Sequence, residues 1–141
     1  MWWRRSATCS SRPKRPRRSS PAARFWQFFG RPMRVHGTSM LPVLRPGDVI
    51  LVHESAYCRR APRYGEVVVA RPSSLGGRAL VKRVLPVGSD EYFLLGDHPA
   101  ESLDSRELGP VTRRELVGRA WLRVWPPRVL HVSSSDSPLN R

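Results

Sequence analysis

The chain has 141 residues, 40% hydrophobic and 26% charged, enough for one domain with its own core and too long to need disulfide or metal staples. Two cysteines, Cys9 and Cys58, supply neither a disulfide framework nor a paired Cys-x-x-Cys ligand set, so both are expected to be plain thiols, with no metal site and no cofactor. The formal net charge is +14, but residues 1–34 hold ten Arg or Lys and no acid, so about +10 of it belongs to the first quarter.

Residues 1–33 are therefore expected to form a basic, disordered N-terminal tail, residues 34–126 the folded domain, and residues 127–141 a polar C-terminal tail. The N-terminal segment lacks the apolar core and small-residue cleavage site of a secretory leader, and its Arg- and Ser-rich composition fits an organelle transit peptide as well as a solvated arm. Arg24 and the arginines at 31 and 34 flank the cluster Phe25-Trp26-Gln27-Phe28-Phe29, the arrangement of a short membrane-surface dock. No run reaches the about 18 apolar residues of a spanning helix. The expected location is cytoplasmic or peripheral at a membrane.

Beyond the tail, short runs of Val, Ile and Leu alternate with Gly and Pro, which predicts an all-β domain with at most one short helix. Ser39 lies between Gly37 and Pro42, so its hydroxyl is expected on a constrained turn. Residues 48–53 read as the first strand, and residues 54–64 as a loop without periodicity. The continuous valines of the strand at 66–71 predict burial on both faces. Further strands are expected at 78–85 and 91–95, then a long polar loop at 96–106 held on the strand scaffold. Thr112 followed three residues later by Glu115 has capping-box spacing and predicts one helical turn within 111–117. A last strand at 118–125 ends at Pro126-Pro127.

A serine is a weak nucleophile at neutral pH and needs a base. Of 25 basic residues only Lys14 and Lys82 are lysines, and Lys82 lies in an apolar strand between Val81 and Val84. Arginine stays protonated, whereas a lysine deprived of solvent becomes neutral readily and can accept a proton. Lys82 is thus the candidate base for Ser39. The bland alternative is a strand lysine snorkelling to solvent beside Arg83.

Three blocks decide between these readings. Thr38-Ser39-Met40-Leu41-Pro42-Val43-Leu44, Leu80-Val81-Lys82-Arg83-Val84, and Gly96-Asp97-His98-Pro99-Ala100-Glu101-Ser102-Leu103-Asp104-Ser105-Arg106 resemble, in order and spacing, the signature of type I signal peptidases. These are endopeptidases with a serine/lysine dyad on an antiparallel β fold, and the similarity spans roughly residues 34–125. The resemblance implies that Ser39 attacks the scissile carbonyl while neutral Lys82 takes its proton. It further implies that the Ser39 backbone N–H binds the oxyanion, that Ser102 orients the Lys82 amine, and that Asp104 pairs with Arg106. Gly96 would shape the loop.

Within the family the chain resembles the small nickel-type superoxide dismutase maturation proteases. That implies a protein precursor as partner, with the nickel enzyme's N-terminal extension as the substrate and general processing of exported proteins as the alternative. Two positions depart from the pattern: Gly37 stands where many members carry an oxyanion-binding hydroxyl, and His98 stands where asparagine is usual. His98 invites a Ser-His triad reading, but the blocks already assign the base. His36 and His53 read as structural. A self-cleaving repressor-type peptidase also pairs Ser and Lys, but no Ala-Gly dipeptide is present for it to cut. A nucleic-acid-binding module has only the basic tail in its favour.

Overall fold

The computed structural model describes Pro21, Arg24, residues 28–98 and residues 108–130. Among the described residues, eight strands form one antiparallel sheet: β1 (Arg31–Arg34), β2 (Val49–His53), β3 (Val67–Ala70), β4 (Leu80–Pro86), β5 (Glu91–Leu95), β6 (Val111–Thr112), β7 (Leu116–Arg123) and β8 (Arg128–Val129). Their order across the sheet is β1-β2-β7-β3-β4-β5-β6, with β8 paired to β7 beside this path. The mainly-β class expected from the strand punctuation is the one found. Ser73–Leu75 and Arg113–Glu115 add single 3-10 turns.

The valines of β3 explain the layering. Val67 and Val69 join Val35, Met40, Leu44, Ile50, Val52 and Ala120 in one apolar cluster. Val68 and Ala70 turn the other way, to Tyr57, Val84, Tyr92, Leu94, Val111 and Leu116. Alternation along a strand buried on both faces produces this division. All four β3 residues are buried, as the unbroken apolar run predicts.

At Gly118 the crossing of β7 over the end of β2 is so close that a Cβ would meet the His53 carbonyl oxygen at 2.6 Å and the Glu54 Cα at 2.8 Å. Only glycine permits that approach.

Three differences from the sequence reading have physical causes. β1 starts at Arg31, inside the expected tail, because Arg31–Arg34 pairs with Val49–Val52 at the sheet edge, where Pro32 and exposed arginines are tolerated. β8 and the buried Leu130 extend the folded unit past residue 126. The loop at 54–64 is ordered without periodicity: Arg113 reaches back to the carbonyl oxygens of Tyr57 (2.9 Å) and Arg60 (2.8 Å), and Tyr57 is buried. The capping box at Thr112 and Glu115 forms, and Glu115 also takes hydrogen bonds from the backbone and hydroxyl of Ser73.

Candidate active site

Ser39 sits half-buried in the connection between β1 and β2, a loop closed at its neck by Val35 N–H to Asp48 O (2.8 Å) and Gly47 N–H to Val35 O (2.8 Å). Met40 and Leu44 drop into the first apolar cluster at 2% and 0% exposure, so the backbone between them is anchored on either side of an exposed Pro42. Leu41 N–H bonds Thr38 O (3.1 Å) and Leu44 N–H bonds Met40 O (2.9 Å), and the Leu41–Pro42 peptide is cis. Gly37 has φ +82 with open space where a Cβ would lie. That left-handed backbone, not crowding, favours glycine at this position.

The far side of the loop is braced by Arg123. Its guanidinium contacts Val43 O (3.3 Å) and the Asp48 carboxylate (3.5 Å), while Nε donates to Pro126 O (3.0 Å). Asp48 Oδ2 also accepts from the Arg45 N–H at 2.9 Å. The serine turn is therefore fastened to β7 as well as to its own neck.

Lys82 is 2% exposed. It lies directly across from Val68 on β3, on the same face as buried Val84, because side chains alternate along β4. At that burial the solvent-snorkelling alternative has no room. The β4–β5 ladder ends on the pair Arg83 and Leu95, so the chain leaves β5 through Gly96 alongside Lys82. Two residues later the His98 N–H donates to Ser39 O at 3.0 Å. That bond brings the start of the third sequence block against the serine turn, at the end of the ladder that carries the lysine.

Sequence reasoning missed the partner of the lysine's neighbour. Arg83 Nε donates to Asp97 Oδ1 at 2.6 Å and Arg83 Nη1 to Gly65 O at 2.8 Å, both side chains being 15% exposed. The available signal was Lys-Arg inside an apolar strand, since consecutive residues take opposite faces and both need a partner or a dry pocket. Ser102, Asp104 and Arg106, expected to support the dyad, lie outside the described residues. His36 is exposed, and His53 Nε2 meets the Ser55 hydroxyl at 3.1 Å on the surface.

A second charged cluster occupies the Lys82 face of β3. The 3%-exposed Glu66 accepts from Arg60 Nη2 (2.7 Å), Arg60 Nη1 (3.1 Å), the Arg63 N–H (3.1 Å) and the Tyr57 hydroxyl (3.1 Å), with Arg119 Nε at 3.5 Å. Burial alone would push its carboxyl up. The hydrogen bonds from Arg60, Arg63 and Tyr57 outweigh burial and hold it below the usual glutamate range. Burial and the adjacent Glu66 charge push the Tyr57 hydroxyl up. Among the described residues no group of three or more His, Cys, Asp or Glu could hold a metal ion, and no helix is long and apolar enough to cross a membrane.

The family described as signal peptidase, peptidase S26, matches residues 21–91 and 85–125. The chain is 34% identical over 116 residues to the mitochondrial ATP-independent inner membrane protease subunit 1a of Arabidopsis thaliana, covering 66% of this chain and 69% of that protein. It is 28% identical over 138 residues to the probable signal peptidase I-2 of Synechocystis sp., covering 67% and 63% respectively. Against the mitochondrial inner membrane protease subunit 1 of Schizosaccharomyces pombe it is 29% identical over 110 residues, covering 64% and 70%. No solved structure matches.

Proposed function

This chain belongs to the signal peptidase family, peptidase S26, a family of serine-type peptidases, and we propose on that basis that it cuts N-terminal extensions from exported or organellar precursor proteins. Two observations support the reading: the His98 N–H bond to Ser39 O, which ties the serine turn to the segment leaving β5, and the burial of Lys82 on the adjacent β4. In the proposed reaction, Ser39 Oγ attacks the scissile carbonyl carbon while the neutral Lys82 amine takes the hydroxyl proton. The Ser39 N–H donates to the resulting oxyanion. Collapse breaks the C–N bond, and the leaving amine receives the proton from Lys82. Water, deprotonated by Lys82, then hydrolyses the acyl ester and restores Ser39. Ser102 is assigned to orient the lysine amine, and Asp104 with Arg106 to hold the loop.

The relatives named above favour general processing over the nickel superoxide dismutase precursor implied by the subgroup resemblance. Phe28, 81% exposed near the exposed Arg31, supports a peripheral contact with a membrane surface during processing.

The test is cleavage by purified protein of three precursors, one with a bacterial signal peptide, one with an organellar presequence and one of nickel superoxide dismutase, each read by product mass. Wild type is expected to cut one or both of the first two at a single site, next to small residues. Ser39→Ala and Lys82→Arg are expected to be inactive, the latter because arginine cannot become neutral. Equal activity of Lys82→Arg would remove the lysine from the mechanism. Cleavage of the nickel enzyme precursor alone would reverse the substrate preference.

A further inference from the structure

We propose that Arg71 and Arg78 select precursors carrying an acidic side chain in the leader, about four to six residues before the cut bond, at the open edge of β4. The proposal rests on the reading of Ser39 and Lys82 as nucleophile and base, and it names the chemical class of substrate they act on.

The open edge follows from the register. Val84 N–H donates to Glu66 O and Val84 O accepts from the Gly65 N–H, both at 2.9 Å, so the backbone polar groups of Val84 point toward β3. These groups alternate sides along a strand, so Val81 directs its own N–H and C=O away from β3. On that side the β4–β5 ladder has ended at Arg83 and Leu95, and the chain beyond turns to Ser39 through the His98 N–H. Among the described residues no strand pairs with Val81 there. A free donor and acceptor one residue before Lys82 are what an extended peptide needs in order to dock.

Only one flank of a peptide cut at Ser39 can use this edge, because β5 lies along β4 from Arg83 onward. That flank is the leader. It stays bonded to Ser39 as the acyl group while the mature chain departs as the amine, and mature chains differ from one precursor to the next. The leader then runs from Lys82 back toward Arg78, on the order of 13 Å at about 3.3 Å per residue. Arg71 follows Ala70, which pairs with Leu80, so both arginines stand at the far end of the edge.

Both arginines are exposed, and among the described residues neither is in an ion pair. Residues 71–79, which join β3 to β4, hold these two charges and no acid. Glu115, whose carbonyl oxygen accepts the Arg71 N–H, directs its carboxylate to Ser73 and Thr112. Gly76 and Gly77 leave open space where side chains would stand, so the approach to Arg78 is clear. A guanidinium grips a carboxylate with two parallel hydrogen bonds, which suits recognition of a single acidic side chain.

The test uses the full chain carrying Ser39→Ala and three fluorescent peptides that span the junctions of the bacterial, organellar and nickel superoxide dismutase precursors. Each is made with Glu, Gln or Lys at the fifth position before the cut bond, and affinity is read by anisotropy. The Glu peptide of at least one junction is expected to bind about 10-fold more tightly than its Lys counterpart at about 20 mM salt, and about 2-fold at 0.5 M, as exposed pairs are screened. Adding Arg71→Gln and Arg78→Gln should abolish the difference, and adding Arg71→Glu and Arg78→Glu should reverse it. Amide exchange at Val81 should slow about 10-fold on binding, while Val84, already bonded to Glu66 O, serves as the control for folding.

Equal affinity for the Glu and Lys peptides overturns the proposal, and so does the absence of measurable binding. A preference that survives in the folded arginine variants, or Val81 exchange that no peptide slows, overturns it as well. If the acid acts only when placed after the cut bond, the leader assignment is wrong. Binding needs no catalysis, so it reports on the arginines even where the Lys82→Arg comparison removes the lysine from the reaction.

Discussion

Replacing Glu66 by alanine removes the acceptor shared by Tyr57, Arg60, Arg63 and Arg119. Breaking a buried pair from one side costs about 3–5 kcal/mol when the remaining charge is trapped. Here Arg60 and Arg119 are each 33% exposed and regain water, so their share is discounted. The Tyr57 hydroxyl and the Arg63 N–H lose their acceptor, at about 1–3 kcal/mol for each group that stays buried. Taken together, about 3 kcal/mol is expected, a fall in Tm of roughly 12 to 24 °C for a domain near 100 residues.

The assay is thermal unfolding followed by circular dichroism, with Glu66→Gln as a variant of equal size, across the acid range. Because the folded-state carboxyl lies below the ordinary value near 4.5, its stabilisation is fully present above that value and is lost as pH falls through the folded value. The gap between wild type and Glu66→Gln should therefore be widest near neutrality and narrow on acidification below about pH 4.5. Glu115 also titrates low, after burial is outweighed by hydrogen bonds from Ser73 and Thr112, but it is common to both proteins and cancels in the difference. A Glu66→Ala protein melting within about 3 °C of wild type would refute the reasoning, as would a gap that does not change with pH.

Gly118→Ala places a Cβ 2.6 Å from backbone that cannot yield, so a loss of at least about 1–3 kcal/mol is expected in denaturant unfolding, and a neutral result would mean β2 and β7 separate freely. Gly37→Ser adds the hydroxyl that the family resemblance leads one to expect but forces an L-residue to φ +82, at about 1–2 kcal/mol, so cleavage should slow and not accelerate. A rate above wild type would show that the turn accommodates the hydroxyl. Leu44→Ala opens a cavity at a fully buried anchor of the serine loop, for about 2–5 kcal/mol by chemical denaturation, with kcat falling at temperatures where the variant is still folded. Unchanged kcat in the folded variant would show that the anchor serves stability alone.

Sequence alone determined what local pattern encodes. Val67, Val68, Val69 and Ala70 announce a strand buried on both faces, and Thr112 with Glu115 announces a capped turn, because each depends on residues within a few positions. The separate blocks around Ser39, Lys82 and Gly96 identified the family, since spacing along the chain survives without coordinates. Tertiary structure decided the rest. Nothing local marks Asp97 as the partner of Arg83 among 25 basic side chains, or Glu66 as the centre of Arg60, Tyr57 and Arg119. Nor could the arginines and proline of β1 read as strand until Val49–Val52 lay alongside to pair with them. Ion pairs and edge-strand pairing join residues far apart in sequence, and their free energy arises only when the sheet has brought them together and excluded water.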